Sequence, residues 1–208
     1  MPAKQPTKLT GPAPTIEQYV EAFCDAPMSR AAVNQLSDLL ARVVGGNLQQ
    51  RLPKEEILVG HRSFGGSNRR HHLDIFVADQ HLGLKLGIDV KGLNSKSSVG
   101  KNWNNRVGDL HELALNHHSH FPNAVLGGVL AIPFEGLSEY VLKGIERSMF
   151  KLQGRRAIAN SANLFECASL IVISKDERRI IDTFPEPGSP LRYEVFSNSI
   201  AKIYQERH

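Results

Sequence analysis

Two short runs of alternating apolar residues, separated by a polar turn, constrain this chain more than any other feature. The first run spans residues 73–77 (LDIFV), and the second spans residues 84–90 (LKLGIDV). An alternation of period two predicts β-strands with one buried face. The turn at 79–83 is short, so the two strands are expected to pair as an antiparallel hairpin.

The register of this hairpin follows from a loop centred between residues 81 and 82. It places Asp74 opposite Asp89 and His72 opposite Lys91, and side chains directly opposed in an antiparallel pair lie about 5 Å apart at Cβ. The apolar pairs are expected to share the other face of the hairpin: Leu73 with Val90, Ile75 with Ile88, and Val77 with Leu86.

Two carboxylates this close repel each other unless one holds a proton or a cation lies between them. A divalent metal satisfies both, and two oxygen donors with room for water and phosphate suit Mg²⁺. Lys91 lies on the same face as Asp89, where it can position or deprotonate a metal-bound water or balance charge in a transition state. The pattern of Asp74, Asp89 and Lys91 therefore predicts phosphodiester hydrolysis. The alternative is a set of solvated surface charges with no chemical role.

The segment after the hairpin, GLNSKSSVGKNWNNR at 92–106, extends the pattern. Together with it, residues 71–106 resemble the PD-(D/E)XK nuclease superfamily, with Leu73-Asp74 in the place of Pro-Asp and Asp89-Val90-Lys91 as the (D/E)-x-K. Lys96-Ser97, Gly100 and the run at 103–106 resemble the K-S, G and aromatic-N-N-R run of XhoI-like type II restriction endonucleases. The chain departs from the family pattern in having leucine for proline, and Asp89 where glutamate is commoner.

This resemblance implies an α/β fold, a restriction-endonuclease-like mixed β-sheet flanked by helices on both sides. It implies Mg²⁺-dependent hydrolysis of double-stranded DNA at a specific short site, with Asp74, Asp89 and Lys91 as catalytic residues. Asp74 and Asp89 would ligate the metal, and Glu56, which precedes a short apolar strand, is a candidate third ligand. Cutting both strands of a symmetric site calls for two copies of the active site, so a homodimer is expected.

Several cations and amides near the hairpin are candidates for DNA contact, because guanidinium, ammonium and amide groups bind phosphates or base edges. They are Arg69, Arg70, Lys96, Ser97, Lys101, Asn104, Asn105 and Arg106. Asn104 could instead cap a helix, and Arg106 could pair with Asp109 or Glu112 at helical spacing.

The chain divides into a Pro- and Lys-rich tail at 1–14, expected to be disordered, and a single nuclease domain at 15–208. Thr15 and Gln18 form a capping box that starts the first helix. Further helices are expected at 30–44, ended by Gly45-Gly46, at 103–120, at 137–152, and after Ser189-Pro190. Continuous apolar runs predict buried strands at 124–132 and 168–173.

A net charge of +4 and a pI near 9.1 permit a polyanionic partner without requiring one. Cys24 and Cys167 are far apart, which favours neither disulfides nor a zinc site and suggests a cytoplasmic protein. No apolar run is long enough to cross a membrane. Three alternatives stay open: a repair or junction-resolving nuclease of the same fold, a non-catalytic DNA-binding module, and a histidine–metal protein. For the last, we interpret the histidines at 117, 118 and 120 as solvated.

Overall fold

The computed structural model describes residues 6–9, 11–27 and 29–208, without the side chains of His61 and Lys96. Seven strands of this part of the chain form one sheet in sequential order. They are β1 (Thr7–Lys8), β2 (Leu58–Phe64), β3 (His71–Asp79), β4 (Gly83–Gly92), β5 (Val125–Pro133), β6 (Cys167–Ser174) and β7 (Arg179–Ile180). Strands β1 to β4 form an antiparallel meander, β5 and β6 run parallel to β4, and β7 is antiparallel to β6.

Helices cover both faces of the sheet. They are α1 (Ile16–Asp25), α2 (Arg30–Arg51), α3 (Lys96–His120), α4 (Glu139–Lys151) and α5 (Tyr193–Arg207). Helices α1, α2 and α5 pack on one face, whereas α3 and α4 pack on the other. The predicted α/β fold, a mixed sheet flanked by helices on both sides, is confirmed.

The β3–β4 hairpin has the predicted register through its centre, with Ile75 opposite Ile88 and Val77 opposite Leu86. The prediction of a single buried face was wrong, because α3 and α4 cover the second face as well. Leu73 also lies on that second face. There it covers Gly87, where a Cβ atom would lie 2.8 Å from Leu73 Cδ1. The hairpin is therefore buried on both sides around the acidic positions.

Helix α2 continues to Arg51, seven residues beyond the predicted end at residue 44. Gly45 and Gly46 do not stop it, because their lack of side chains allows close packing. A Cβ at Gly45 would lie 2.7 Å from Val59 Cγ2, and one at Gly46 would lie 2.1 Å from Ala13 Cβ. The glycines thus let the helix approach β2 and the segment before α1.

Part of the N-terminal segment expected to be disordered is ordered. Thr7 pairs with Val59 and Lys8 pairs with Leu58, so β1 forms an edge strand. Leu9 packs against the core beneath α2. Backbone pairing and burial of one leucine thus hold a segment whose composition alone indicates disorder. Residues 1–5 and 10 lie outside the described residues.

The first residues of three helices can be compared with their predicted starts. The capping box of Thr15 and Gln18 is present at the start of α1, as predicted. Helix α3 begins at Lys96, earlier than predicted, because the Ser95 side chain accepts a hydrogen bond from the backbone N–H of Ser98 at 3.2 Å. Helix α5 begins at Tyr193, after the predicted Ser189 cap.

Candidate active site

Asp74, Asp89 and Lys91 come together where β3 and β4 leave their regular pairing. The last regular pair is Ile75 with Ile88, and Asp74 and Asp89 follow it on their strands. The Val90 backbone N–H donates a hydrogen bond to Asp74 Oδ2 at 2.8 Å. Asp74 is thereby tied directly to the D-x-K segment of β4.

The two carboxylates are deeply buried, whereas the lysine reaches toward solvent. Asp74 is 7% exposed and Asp89 is 2% exposed. Lys91 Nζ lies 2.5 Å from Asp89 Oδ2, and the lysine side chain is 26% exposed. The structure therefore brings the three predicted catalytic residues into one group with its open side at Lys91.

The surroundings of this group raise the pKa of both Asp89 and Lys91. Burial raises the pKa of Asp89 to about 7; Lys91 opposes the increase, and the Asp74 carboxyl adds to it. Burial alone would lower the pKa of Lys91, but Asp89 and Asp74 outweigh it and the net pKa is raised. Lys91 is thus held as an ammonium ion, which can donate hydrogen bonds but cannot act as a base near neutral pH.

A central strand supports the group from beside it. Asp89 pairs with Gly128 of β5, and a Cβ at Gly128 would lie 3.0 Å from Phe165 and 3.3 Å from Leu110. Glycine at this position lets an aromatic ring and a leucine of α3 close over the sheet next to Asp89. This packing explains part of the burial that raises the Asp89 pKa.

A set of polar side chains borders the open side of the group. Arg69 donates hydrogen bonds to His71 Nε2 at 3.0 Å and to Glu112 Oε2 at 2.7 Å. Burial lowers the pKa of His71, and Arg69 and Lys91 lower it further against the opposing effect of Glu112 and Asp109. His71 is therefore held neutral between the candidate site and α3.

The loop that carries Arg69 is held by Asn116, a buried residue of α3 that the sequence analysis did not single out. Asn116 Oδ1 accepts hydrogen bonds from the backbone N–H groups of Asn68 at 2.7 Å and Arg69 at 3.3 Å. Its Nδ2 donates to the Arg69 carbonyl at 2.7 Å. Gly66 is required beside it, since a Cβ there would lie 1.9 Å from Asn116 Nδ2. No sequence signal links residues 47 positions apart, so this contact could not be predicted.

The candidate DNA contacts are divided between two surface depressions. Asn104, Asn105 and Arg106 line one of about 620 Å³ on α3. Ser97 and Lys101 line another of about 630 Å³ between the starts of α3 and α4. Arg106 pairs with Asp109 at 3.1 Å, which is the alternative that its helical spacing offered. Arg69 forms an ion pair with Glu112 at 2.7 Å. Arg70 is exposed at the start of β3, and the side chain of Lys96 lies outside the described part of the chain.

Glu56 is not brought to this group. It forms an ion pair with Lys8 at 2.8 Å, and its side chain is 54% exposed. Leu58 pairs with Phe76, so Glu56 lies toward the hairpin turn, whereas Asp74 lies toward the opposite end of β3. The prediction of Glu56 as a metal ligand is therefore wrong, because antiparallel pairing carries the residues before β2 away from Asp74.

The interpretation of the helix-end histidines as solvated is confirmed for the exposed His120 but was wrong for the other two. His117 and His118 are buried, at 0% and 2% exposure. His118 Nε2 lies 3.2 Å from Glu166 Oε2, and the other carboxylate oxygen accepts from Arg155 at 2.9 Å and Arg207 at 2.7 Å. This buried ion network joins the ends of α3 and α5 to the start of β6. It lies at the N-terminal ends of β5 and β6, whereas Lys91 lies at the C-terminal end of the parallel strand β4, so the network belongs to the core of the fold.

The donor set fits Mg²⁺ with only two protein ligands. Among the described residues, no group of three or more His, Cys, Asp or Glu side chains could hold a metal ion. Two buried carboxylates, one with a raised pKa, form a site that a divalent cation would neutralise. Mg²⁺ keeps several waters and often takes one or two carboxylates together with substrate phosphate. Asp74 and Asp89 match that requirement.

Comparison with known proteins identified no relative of this chain. No protein-family model, no curated protein and no solved structure matches the chain. In the described ranges, every helix is too short or too polar to span a bilayer.

Proposed function

We propose that this protein is a Mg²⁺-dependent endonuclease that hydrolyses phosphodiester bonds of double-stranded DNA, with the character of a type II restriction enzyme. The observation that carries the proposal is the convergence of Asp74, Asp89 and Lys91 in one partly buried group. The sequence resemblance gives these three residues their roles, and the fold has the predicted arrangement of sheet and helices.

Asp74 and Asp89 would hold the metal, which would polarise the scissile phosphate and lower the pKa of a bound water. The protein groups around it perform distinct tasks. The Val90 N–H fixes the orientation of the Asp74 carboxylate. Lys91, held as an ammonium, donates hydrogen bonds to the attacking water or to a phosphate oxygen and offsets the charge that develops there.

The surroundings of the group suit a polyanionic substrate. Lys101 and Asn105 are exposed on α3, which starts four residues after the end of β4. Cations and amides near the carboxylates can bind backbone phosphates and place the scissile bond against Lys91. A two-fold homodimer would present two such groups to the two strands of a symmetric site.

The test is cleavage of a long, mapped double-stranded DNA by the purified protein with Mg²⁺ or with EDTA. Lys91→Ala and Asp74→Asn are expected to abolish cleavage, whereas Lys202→Ala, an exposed lysine on α5, keeps it. Discrete bands that require Mg²⁺ support a site-specific endonuclease, and the fragment ends give its site.

Two results would change the assignment. A smear of products would indicate a nonspecific or repair nuclease on the same fold. Folded protein that binds duplex DNA but cuts none at any Mg²⁺ concentration would remove the catalytic role and leave a DNA-binding module.

A further inference from the structure

The exposed side of α4 carries aromatic and basic side chains in one stripe. At 100° per residue, the side chains of Tyr140, Lys143, Arg147, Phe150 and Lys151 fall within an arc of about 100°. Tyr140 is 87% exposed and Phe150 is 55% exposed. The buried residues Leu142, Ile145 and Met149 occupy the opposite side of the helix, so the stripe is not needed for the core.

The stripe has a net positive charge. Lys143 pairs with Glu139 at 2.6 Å, one helical turn before it. Within the described chain, neither Arg147 nor Lys151 forms an ion pair. Two uncompensated cations therefore alternate with two exposed aromatic rings over about 15 Å of helix, at 1.5 Å per residue.

The helix that carries the stripe begins at a depression that it shares with the start of α3. Helix α3 starts shortly after Lys91, and Ser97 and Lys101 in its first turns line the depression of about 630 Å³. The opposite wall of that depression includes Ser138, the residue that caps α4. Tyr140, the first aromatic ring of the stripe, follows two residues later.

We propose that this stripe binds an unpaired nucleic-acid strand. Exposed aromatic rings stack on bases, and only unpaired bases offer a free face, while alternating lysines and arginines hold the phosphates. The inference concerns binding, and it stands whether or not the protein cleaves DNA.

The test measures binding of a labelled oligothymidylate by fluorescence anisotropy in EDTA, so that no cleavage contributes. The variants are Tyr140→Ala with Phe150→Ala, and Arg147→Glu with Lys151→Glu. Stacking on one aromatic side chain contributes about 1–3 kcal/mol per base, so each alanine substitution weakens binding by at least about fivefold. The charge-reversal pair weakens binding and reduces its dependence on salt.

Matched controls lie elsewhere on the surface. Leu82→Ala removes a 65% exposed apolar side chain from the hairpin turn, and Lys202→Glu reverses an exposed charge on α5. Both are expected to leave oligothymidylate binding unchanged. Circular dichroism checks that all variants are folded.

Three outcomes overturn the inference: no binding of oligothymidylate by the wild-type protein, equal binding by wild type and the Tyr140/Phe150 variant, or equal losses in the controls. Analytical ultracentrifugation of the same variants tests the alternative that the stripe binds a second copy of this chain. If the aromatic substitutions convert a dimer to monomers and leave oligothymidylate binding intact, the stripe is a contact between two copies of this chain. Loss of duplex cleavage in Lys91→Ala with oligothymidylate binding retained separates this inference from the proposed function.

Discussion

Replacing Asp89 with asparagine should change how the stability of the metal-free protein depends on pH. Burial, partly opposed by Lys91 and reinforced by Asp74, raises the pKa of Asp89 from 3.8 to about 7. Between these values the folded protein holds a proton that the unfolded chain has released, so the free energy of unfolding falls as pH rises from about 4 to about 7. The fall is about 4 kcal/mol, since one pKa unit corresponds to about 1.4 kcal/mol.

The assay is urea denaturation of wild type and Asp89→Asn in EDTA over this pH range. His117 acts in the opposite direction, because burial lowers its pKa from 6.5 to about 4 and stability is lost as pH falls through that interval. Both proteins contain His117, so its contribution cancels in the difference between their unfolding free energies, which reports Asp89 and its effect on Asp74 and Lys91. We expect the variant to gain about 4 kcal/mol relative to wild type from pH 4 to pH 7, with no further change above. A difference that is independent of pH would refute the reasoning.

Three further predictions concern groups around the site and in the core. Asn116→Ala removes three hydrogen bonds to the loop at 68–69 and should lower the urea-unfolding free energy by about 2–4 kcal/mol. Glu166→Gln removes the charge that balances buried Arg155, with an expected loss of about 3–5 kcal/mol in the same measurement. Glu56→Gln removes only an exposed pair, so stability should change by less than about 1 kcal/mol and Mg²⁺-dependent cleavage should be unchanged.

Each prediction has a control and a contradicting result. Asn68→Ala keeps the backbone N–H that contacts Asn116, so its free energy of unfolding should stay near the wild-type value. A decrease equal to that of Asn116→Ala would contradict the role given to the Asn116 hydrogen bonds. Glu206→Gln removes an exposed carboxylate of α5 and should be neutral. A stable Glu166→Gln protein would mean that the buried network contributes little. Loss of Mg²⁺-dependent cleavage in Glu56→Gln would restore Glu56 as a ligand.

The centre of the candidate site could be predicted because its determinants are local. Alternating residues define the strands, a short turn joins them, and the pair Ile75–Ile88 leaves Asp74 and Asp89 close enough to interact just beyond it. Lys91 follows on the same strand two residues later, so its position needs no information beyond strand periodicity. The capping box of α1 was predictable for the same reason, since its two residues lie three positions apart.

Other features depended on contacts between segments that are distant in the chain. Arg155 is buried because its guanidinium donates hydrogen bonds to Glu166 and to the Pro122 carbonyl in the turn after α3, both distant from it in the chain. Asn116 holds the Arg69 loop through contacts 47 and 48 residues away. Glu56 turned away from the site because the β2–β3 register, which the sequence left open, carried it toward the other end of the hairpin.

The sequence by itself determined the strands of the hairpin, the closeness of its two aspartates, the lysine beside them and the alternation of helices with buried strands. The tertiary structure decided which faces are covered, how far α2 extends past Gly45 and Gly46, and which charged groups are buried. The physical reason is that periodicity and capping act over a few residues, whereas burial depends on which distant surfaces pack together. Burial is also the main cause of the raised pKa of Asp89, so the protonation of this group could be read only from the folded protein.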